Sequence, residues 1–250
     1  VRIHRRLLLH AARHADALIA VSESCRQDIL DVLNVPPEKV FVVPNGVRIG
    51  DFEGELDSAA LARCRQRLGM QRDYWIFVGT IEPRKNLPRL LAAYRRVADR
   101  FPECPDLLLV GRSGWHAEPV FQAIRELRLE ERVRHAGYLG RSDVILLLRG
   151  AAACLYPSLY EGFGLPVLEA MAAGVPVLTS NVSAMPEVIG ACGVLTDPED
   201  VDALEAGMET LLLRPDACAR MAAQARQRAR AFSWEASATR LAEVYRVVHN

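Results

Sequence analysis

The sequence predicts an α/β fold: a Rossmann-like parallel sheet with helices on both faces, preceded by a remnant of another domain. Short apolar runs alternate with longer amphipathic stretches over most of the 250 residues, which is the pattern of strand–helix units. The apolar runs are continuous instead of alternating apolar and polar, as is typical of strands buried on both faces. After the last of these runs the pattern is entirely helical.

Apolar runs bounded by turn residues or amphipathic stretches are predicted to be strands. In chain order they are Ala17–Val21, Val40–Val43, Trp75–Val78, Leu107–Val110, Val133–Ala136, Ala152–Tyr156, Val175–Leu178 and Val194–Leu195. Helices are predicted where apolar residues recur at helical spacing. Their ranges are 23–33, 57–68, 87–100, 117–129, 142–150, 165–173, 200–213, 215–231 and 233–248. Asp197 and Asp200 give the helix at 200 a start that resembles a capping box.

A domain boundary is predicted at Pro44-Asn45-Gly46-Val47, because a strand ends there and a loop with Gly and Asp follows. Residues 1–47 are interpreted as the incomplete end of one Rossmann-like domain. Residues 48–232 would form a complete second one, and 233–250 a helix that returns toward the first. Since the chain begins with Val1 and not Met, it is expected to be a piece of a longer protein.

Composition argues against several classes of protein. Hydrophobic residues make up 50% and charged residues 25% of the chain, which is ordinary for a globular protein. The 31 basic and 31 acidic residues balance, so nucleic-acid binding is not expected. Six scattered cysteines without a CxxC pair indicate reduced thiols and no zinc site. No apolar run approaches the ~20 residues that span a bilayer.

Ligands of an open parallel sheet bind beyond the carboxyl ends of its strands, so the loops there are the candidate sites. The loop after Trp75–Val78 carries Arg84 and Lys85 just before a helix start marked by Pro88. Helix N-termini already favour anions, so two cations there predict a phosphate site. Lys85 is one of only two lysines in the chain, the other being Lys39.

The loop at 157–164 is the most informative. Gly162 and Gly164 let the backbone wrap an anion at the start of the next helix. Phosphate would repel Glu161 in this loop and Glu169 in the helix, so both are predicted to accept hydrogen bonds from sugar hydroxyls. Apolar neighbours surround Glu169, where a charge needs a partner. The basic pair, the helix end and the carboxylates together predict a site for a nucleoside diphosphate sugar.

The segment EGFGLPVLEAMAAGVPV, from Glu161 to Val177, resembles the E-x7-E segment of the family-4 retaining glycosyltransferases of the GT-B fold. Similar support comes from Glu82-Pro83-Arg84-Lys85-Asn86, Pro186–Gly190 and Pro44–Val47. The implied fold is the carboxy-terminal, donor-binding domain of a two-domain enzyme. The stretch from Gly79 to Asn86 also resembles bacterial mannosyltransferases of lipopolysaccharide and exopolysaccharide assembly.

The resemblance implies a role for each matching residue. Glu161 would contact the hydroxyls of the transferred sugar, and Glu169 the ribose of the nucleotide. Arg84 and Lys85 would hold the diphosphate and stabilise it as it leaves. Glu161, Arg84 and Lys85 are therefore the expected catalytic residues.

Further donor-binding residues are implied around these. Phe163, Gly164 and Leu165 would offer backbone amides to the sugar or the diphosphate. Leu139 falls where the family contacts the nucleobase, and Gly79 begins the loop that carries the basic pair.

The implied reaction is hexose transfer with retention, with GDP-mannose favoured as donor and a glycan or lipid-linked molecule as acceptor. No cofactor beyond the donor and no metal are expected. Asp200-Val201-Asp202 spells DxD, but it opens a helix and is predicted to cap it. The implied location is the cytoplasm, with room for peripheral contact with the inner face of the plasma membrane through the missing domain.

The sequence departs from the family pattern in two respects, and two other functions are considered as alternatives to glycosyl transfer. Gly79-Thr80-Ile81 lacks the arginine that many members carry there, so Arg84 is expected to take over its role. His10 and His14 belong to the closing helix of the missing domain, and neither is assigned the role of the family's histidine near the sugar. A non-catalytic sugar-nucleotide binding module would keep Lys85 and Glu169 and could lack Glu161. An NAD-dependent oxidoreductase should carry GxGxxG after its first strand, which is absent.

Overall fold

The structure, a computed structural model, describes residues 2–249, with side chains from residue 7 onward. Its strands are β1 (Leu18–Ala20), β2 (Val40–Val42), β3 (Tyr74–Val78), β4 (Asp106–Val110), β5 (Val133–Gly137), β6 (Ala153–Tyr156), β7 (Val177–Ser180) and β8 (Val194–Thr196). Its helices are α1 (Arg2–His14), α2 (Glu23–Leu33), α3 (Ser58–Arg67), α4 (Leu87–Arg100), α5 (Glu118–Glu126), α6 (Arg141–Arg149), α7 (Leu165–Ala173), α8 (Met185–Ile189), α9 (Val201–Leu213), α10 (Pro215–Ala229) and α11 (Trp234–His249). Short 3-10 turns cover Pro37–Lys39, Ile49–Phe52 and Pro83–Lys85.

Six strands form one parallel sheet in the order β5-β4-β3-β6-β7-β8. The chain starts in the middle with β3, runs outward to β5, then returns to β6 and runs outward on the other side. The direction therefore reverses between β3 and β6, where Trp75 pairs with Ala153 and Ile76 with Cys154. Open α/β sheets bind ligands at such a switch point.

Helices cover both faces of this sheet, which confirms the predicted fold class. On one face α4 packs between α5 and α9, and on the other α7 packs against α6, α8 and α10. The four central strands β3, β4, β6 and β7 are buried almost throughout, as continuous apolar runs require. In β3, for example, Tyr74, Ile76 and Phe77 are fully buried. The edge strands β5 and β8 are only partly buried.

The first two strands form a separate, two-stranded parallel sheet. It has a small core of its own with α1 and α2, built on Ala12, Ala20, Leu33, Val35 and Val40. These strands and helices correspond to the two strands predicted before residue 43, the helix predicted at 23–33 and the helix expected to hold His10 and His14. The domain limits after residues 47 and 232 stay a prediction from the sequence.

One strand is displaced from its prediction. The sequence predicts a strand at Val175–Leu178, but β7 runs from Val177 to Ser180. Pro176 has no N–H to donate to a neighbouring strand. The polar Thr179 and Ser180 are nevertheless buried, because their hydroxyls donate to the carbonyls of Tyr156 and Ser158 at 2.8 and 2.7 Å.

Helix starts follow local capping chemistry. Ser22 caps α2 and Asp200 caps α9, the latter accepting from the N–H of Asp202 at 2.8 Å and of Ala203 at 3.2 Å. The predicted capping role of Asp200 is therefore confirmed. The short helix α8 is not predicted from the sequence, since five residues carry too little periodicity.

Candidate active site

Two loops meet at the switch point of the large sheet. Residues 79–86 follow β3, and residues 157–164 follow β6. The N–H of Leu159 donates to the carbonyl of Arg84 at 2.9 Å. The side chain of Asn86 donates to the carbonyls of Pro157 at 3.2 Å and Pro198 at 2.6 Å. The bonds to Arg84 and Pro157 fix the two loops against each other, and the bond to Pro198 ties Asn86 to the segment after β8.

Lys85 and Glu161 form a buried ion pair between these loops. Lys85 Nζ lies 2.6 Å from Glu161 Oε1 and 2.5 Å from the hydroxyl of Tyr156. Lys85 is 6% exposed and Glu161 7%. Tyr156 and Ser158 also donate to Glu161 Oε1, at 3.0 and 2.9 Å. The lysine is therefore not a solvated surface charge, and one oxygen of Glu161 already accepts three hydrogen bonds.

Arg84 engages the other oxygen of Glu161. Its guanidinium lies 2.7 Å from Oε2 and also donates to the carbonyl of Tyr160 at 2.8 Å and to Glu82 at 2.6 Å. The Arg84 side chain is 40% exposed. A carboxylate offers about four lone-pair sites, so Oε2 keeps acceptor capacity that Oε1 has used. Oε2 is therefore the oxygen of Glu161 that can accept a further hydrogen bond.

The partners of the cluster determine its ionisation. Burial has the largest influence on the pKa of Glu161 and would raise it, but hydrogen bonds and charges from Lys85 and Arg84 outweigh burial and hold that pKa below its usual value. Burial lowers the pKa of Lys85 against the opposing effect of Glu161. Burial raises the pKa of Tyr156, so its hydroxyl remains a donor. The carboxylate of Glu161 is therefore kept ionised.

The N-terminus of α7 adjoins this cluster. Gly164 precedes the helix with φ +98°, and a Cβ there would lie 2.2 Å from Met185 Cε. Only glycine fits this left-handed, crowded position. No side chain among the described residues caps α7, so first-turn N–H groups are available to an anion. Phe163 is buried against Phe232, and Leu165 is partly exposed.

Glu169 has a partner that the sequence analysis did not identify. Arg141, at the start of α6, donates to Glu169 Oε1 and to Asp51 Oδ2, the latter at 3.1 Å. The three side chains line a cavity of about 360 Å³ together with Leu165 and Trp234. The predicted need of Glu169 for a charge partner is thereby met within the protein.

The remaining predicted residues lie at the same edge of the sheet. Gly79 begins the loop after β3, and a Cβ there would be 3.7 Å from Lys85 Cε. Leu139 follows β5 and is half-buried. Sequence reasoning missed Tyr156, which ends a predicted strand and carries a hydroxyl. It also missed Arg141, which lies one residue before a predicted helix and has no local signal.

A larger cavity lies at the opposite edge of the sheet. Its volume is about 800 Å³, and its lining includes Trp75, Ala152 and Pro176, which lie at or just before the amino ends of β3, β6 and β7. Ligands of open α/β sheets bind at the carboxyl ends, and the ion pair described above lies there. Size alone therefore does not identify the active site.

A metal site would require several His, Cys, Asp or Glu side chains grouped around one point. Between residues 2 and 249 no group of three or more His, Cys, Asp or Glu side chains is arranged to hold a metal ion. Asp200 is engaged as a helix cap, and Asp202 pairs with Arg96 at 2.5 Å.

Between residues 2 and 249 no helix has both the length and the apolarity to cross a membrane. All six cysteines lie in this part of the chain, and none is joined to another.

Two family models match the chain. Residues 62–228 match the model for glycosyl transferases group 1, and residues 1–50 match that for glycosyltransferase family 4. The first match includes both switch-point loops, α7 and Arg141.

Curated relatives match over nearly the whole chain. The O-antigen chain mannosyltransferase B of Escherichia coli is 34% identical over 99% of this chain and 65% of its own length. The MMP α-(1→4)-mannosyltransferase of Mycolicibacterium hassiacum is 34% identical over 94% of this chain and 54% of its own. The chain thus spans between about half and two thirds of these relatives.

Solved structures share the fold. HepE of Anabaena, in a crystal structure with UDP and glucose, aligns over 99% of this chain and 68% of its own, with a TM-score of 0.87 and 23% identity. At that identity the match shows the fold alone. Because the model for glycosyl transferases group 1 matches most of the length of the chain, the chain belongs to that family, and it has the GT-B fold.

Proposed function

We propose that the chain is the donor-binding part of a retaining glycosyltransferase that transfers a hexose from a nucleoside diphosphate sugar to a glycan or lipid-linked acceptor without a metal ion. The observation that carries the proposal is the ion-paired Lys85–Glu161–Arg84 cluster at the switch point, beside the uncapped N-terminus of α7. Mannose is the favoured sugar, and GDP-mannose the favoured donor, because two of the similar enzymes are named mannosyltransferases.

The diphosphate would bind between Arg84 and the first turn of α7. Arg84 is the more exposed of the two cations, and the amides near Gly164 and Leu165 add the partial positive charge of a helix end. An ammonium group has three donors, of which Lys85 uses two, so it has one donor left that would bind a phosphate oxygen. Because both cations are already paired, phosphate would share them with Glu161 and not meet them free.

Glu161 would orient the transferred sugar. Its Oε2 oxygen accepts from Arg84 and has capacity for one sugar hydroxyl. Lys85, Tyr156 and Ser158 fix Oε1, so the carboxylate has little freedom to rotate. Positioning of this kind places the anomeric carbon for attack.

Retention would follow from attack on the same face as the leaving group. The acceptor hydroxyl would form a bond to the anomeric carbon as the bond to the diphosphate oxygen breaks, and its proton would pass to the departing diphosphate. Arg84 and Lys85 would stabilise the charge that develops on that diphosphate. No protein nucleophile is required, and the two cations take the place of a metal ion.

The nucleoside would lie beside Glu169 in the 360 Å³ cavity, with Leu139 toward the base. The proposed setting is polysaccharide or lipopolysaccharide assembly in the cytoplasm. Peripheral contact with the inner face of the plasma membrane is included, because a lipid-linked acceptor would lie there.

Calorimetric titration with GDP-mannose, UDP-glucose and NADH tests this function. Binding of a sugar nucleotide but not NADH is expected. Transfer assays on the complete protein should then give a product with the anomeric configuration of the donor, read by NMR. Binding of NADH alone would favour an oxidoreductase, and binding without transfer in the complete protein would favour a non-catalytic module.

A further inference from the structure

The cavity beside α7 contains an acid–base–acid arrangement that the proposed catalytic steps do not use. Arg141 donates from one guanidinium nitrogen to Glu169 Oε1 and from another to Asp51 Oδ2. Its side chain is 50% exposed, whereas that of Glu169 is 18% exposed. Glu169 Oε2 accepts no hydrogen bond from the side chains or backbone that the structure describes, and the residue lines the cavity.

The position of Arg141 is unfavourable for its own helix. It is the first residue of α6, where the partial positive charge of the helix end repels a cation. The bonds to Glu169 and Asp51 offset this repulsion. Burial lowers the pKa of Arg141, but the hydrogen bonds and charges of the two carboxylates outweigh burial and raise that pKa above its usual value. The guanidinium is thus held by the two carboxylates and not by its helix.

We propose that Arg141 is a positioning residue for the ribose of the donor. It holds Glu169 by Oε1, so that Oε2 is presented to the ribose hydroxyls, and Asp51 in turn fixes the guanidinium. The inference rests on the proposed function and goes beyond it, because it assigns to Arg141 and Asp51 the orientation of the ribose-binding carboxylate.

Competition between Arg141 and the ribose for Glu169 is the opposite interpretation, and the geometry disfavours it. The side chains that the structure describes engage only one oxygen of Glu169, so the ribose need not displace the arginine. Asp51 anchors the other side of the guanidinium at 3.1 Å. Without Arg141, the like charges of Asp51 and Glu169 would share one cavity, and their repulsion would move Glu169 out of position.

The test measures binding of GDP and of 2′,3′-dideoxy-GDP by calorimetry to wild type, Arg141→Ala, Arg141→Lys, Glu169→Gln and the double variant Arg141→Ala/Glu169→Gln. Arg141→Ala should weaken GDP binding about tenfold, the scale of a charge-assisted hydrogen bond that is partly exposed. It should leave dideoxy-GDP binding unchanged, because that ligand lacks both ribose hydroxyls. Arg141→Lys should recover part of the loss, and the double variant should bind GDP no more weakly than Glu169→Gln.

The ion pair of Arg67 with Asp143 provides a matched control. Asp143 lies in the first turn of the same helix, and the pair is 2.9 Å long and partly exposed. Arg67→Ala should therefore leave GDP affinity unchanged. Thermal unfolding of every variant identifies any loss that reflects misfolding, and Arg141→Lys keeps the test decisive if Arg141→Ala is unstable.

Several outcomes would overturn the inference. Unchanged GDP affinity in Arg141→Ala, or an equal loss with dideoxy-GDP, would show that Arg141 does not act through the ribose. Tighter GDP binding would show competition in place of positioning. If wild type binds neither GDP nor UDP nor any sugar nucleotide, the proposed function itself is wrong. If wild type binds GDP and Arg141→Ala binds it with the same affinity, only the inference about Arg141 is wrong.

Discussion

Lys85 and Glu161 lie 76 residues apart in the sequence, yet Nζ and Oε1 are 2.6 Å apart in a buried ion pair. One residue follows β3 and the other follows β6, the two strands that flank the switch point of the sheet. The pair therefore links the two loops at the carboxyl edge of the sheet, where the donor is proposed to bind. Because the pair is buried, it is part of the structure of this edge as well as of the proposed donor site.

Removing both partners of this pair should destabilise the fold by less than the sum of the two single removals. Lys85→Met leaves Glu161 with one donor fewer, and Glu161→Gln leaves Lys85 as a buried, unpaired cation. Each single change should cost about 3–5 kcal/mol, and the double variant should cost less than the sum of the two. Chemical unfolding of the four proteins measures this, and strict additivity would show that the pair is not coupled.

Lys85→Ala should weaken nucleoside diphosphate binding far more than Lys39→Ala. Lys39, the other lysine, donates to the carbonyl of Ala15 at 3.0 Å in the small sheet region and serves as the control. A charge-assisted hydrogen bond corresponds to about tenfold to hundredfold in affinity. Calorimetry with GDP gives the comparison, and equal losses for both variants would contradict the assignment of phosphate binding to Lys85.

Glu161 and Glu169 should differ in their consequences. Glu169→Gln should weaken binding of GDP and GDP-mannose alike, because both ligands carry the ribose. Glu161→Gln should not weaken GDP binding, since GDP has no transferred sugar, but it should weaken GDP-mannose binding or slow transfer in the complete protein. The division of roles is wrong if Glu161→Gln reduces GDP affinity as much as Glu169→Gln does.

Stability should fall in acid partly because of Glu161. Its folded-state pKa is lowered from the ordinary value of 4.5, so the folded protein favours the ionised form. The stabilisation by ionised Glu161 is fully present above pH 4.5 and is lost as the pH falls through the lowered pKa. Thermal unfolding from neutral to acidic pH should show a smaller loss for Glu161→Gln than for wild type, and parallel curves would exclude this contribution.

Much of the fold could be predicted because its signals are local. The strands are continuous apolar runs, and Asp200 caps a helix through residues two and three positions away. The position after a strand also predicts Glu161, Lys85 and Arg84 as site residues. Their mutual pairing could not be predicted, because it depends on β3 and β6 being neighbours in the sheet. Arg141 lies 28 residues from Glu169, so that contact likewise follows from how α6 packs on α7.

Donor binding should not depend on a divalent metal. The carboxylates of Asp200-Val201-Asp202 are already used, Asp200 as the cap of α9 and Asp202 in a pair with Arg96. Asp200→Ala should therefore lower the free energy of unfolding by about 1 kcal/mol, the usual effect of losing a helix cap, while GDP-mannose affinity stays the same with or without EDTA. Calorimetry and chemical unfolding separate the two effects, since one concerns the ligand and the other the helix. A loss of affinity on adding EDTA, restored by Mg²⁺ in wild type but not in Asp200→Ala, would instead make this segment a metal site.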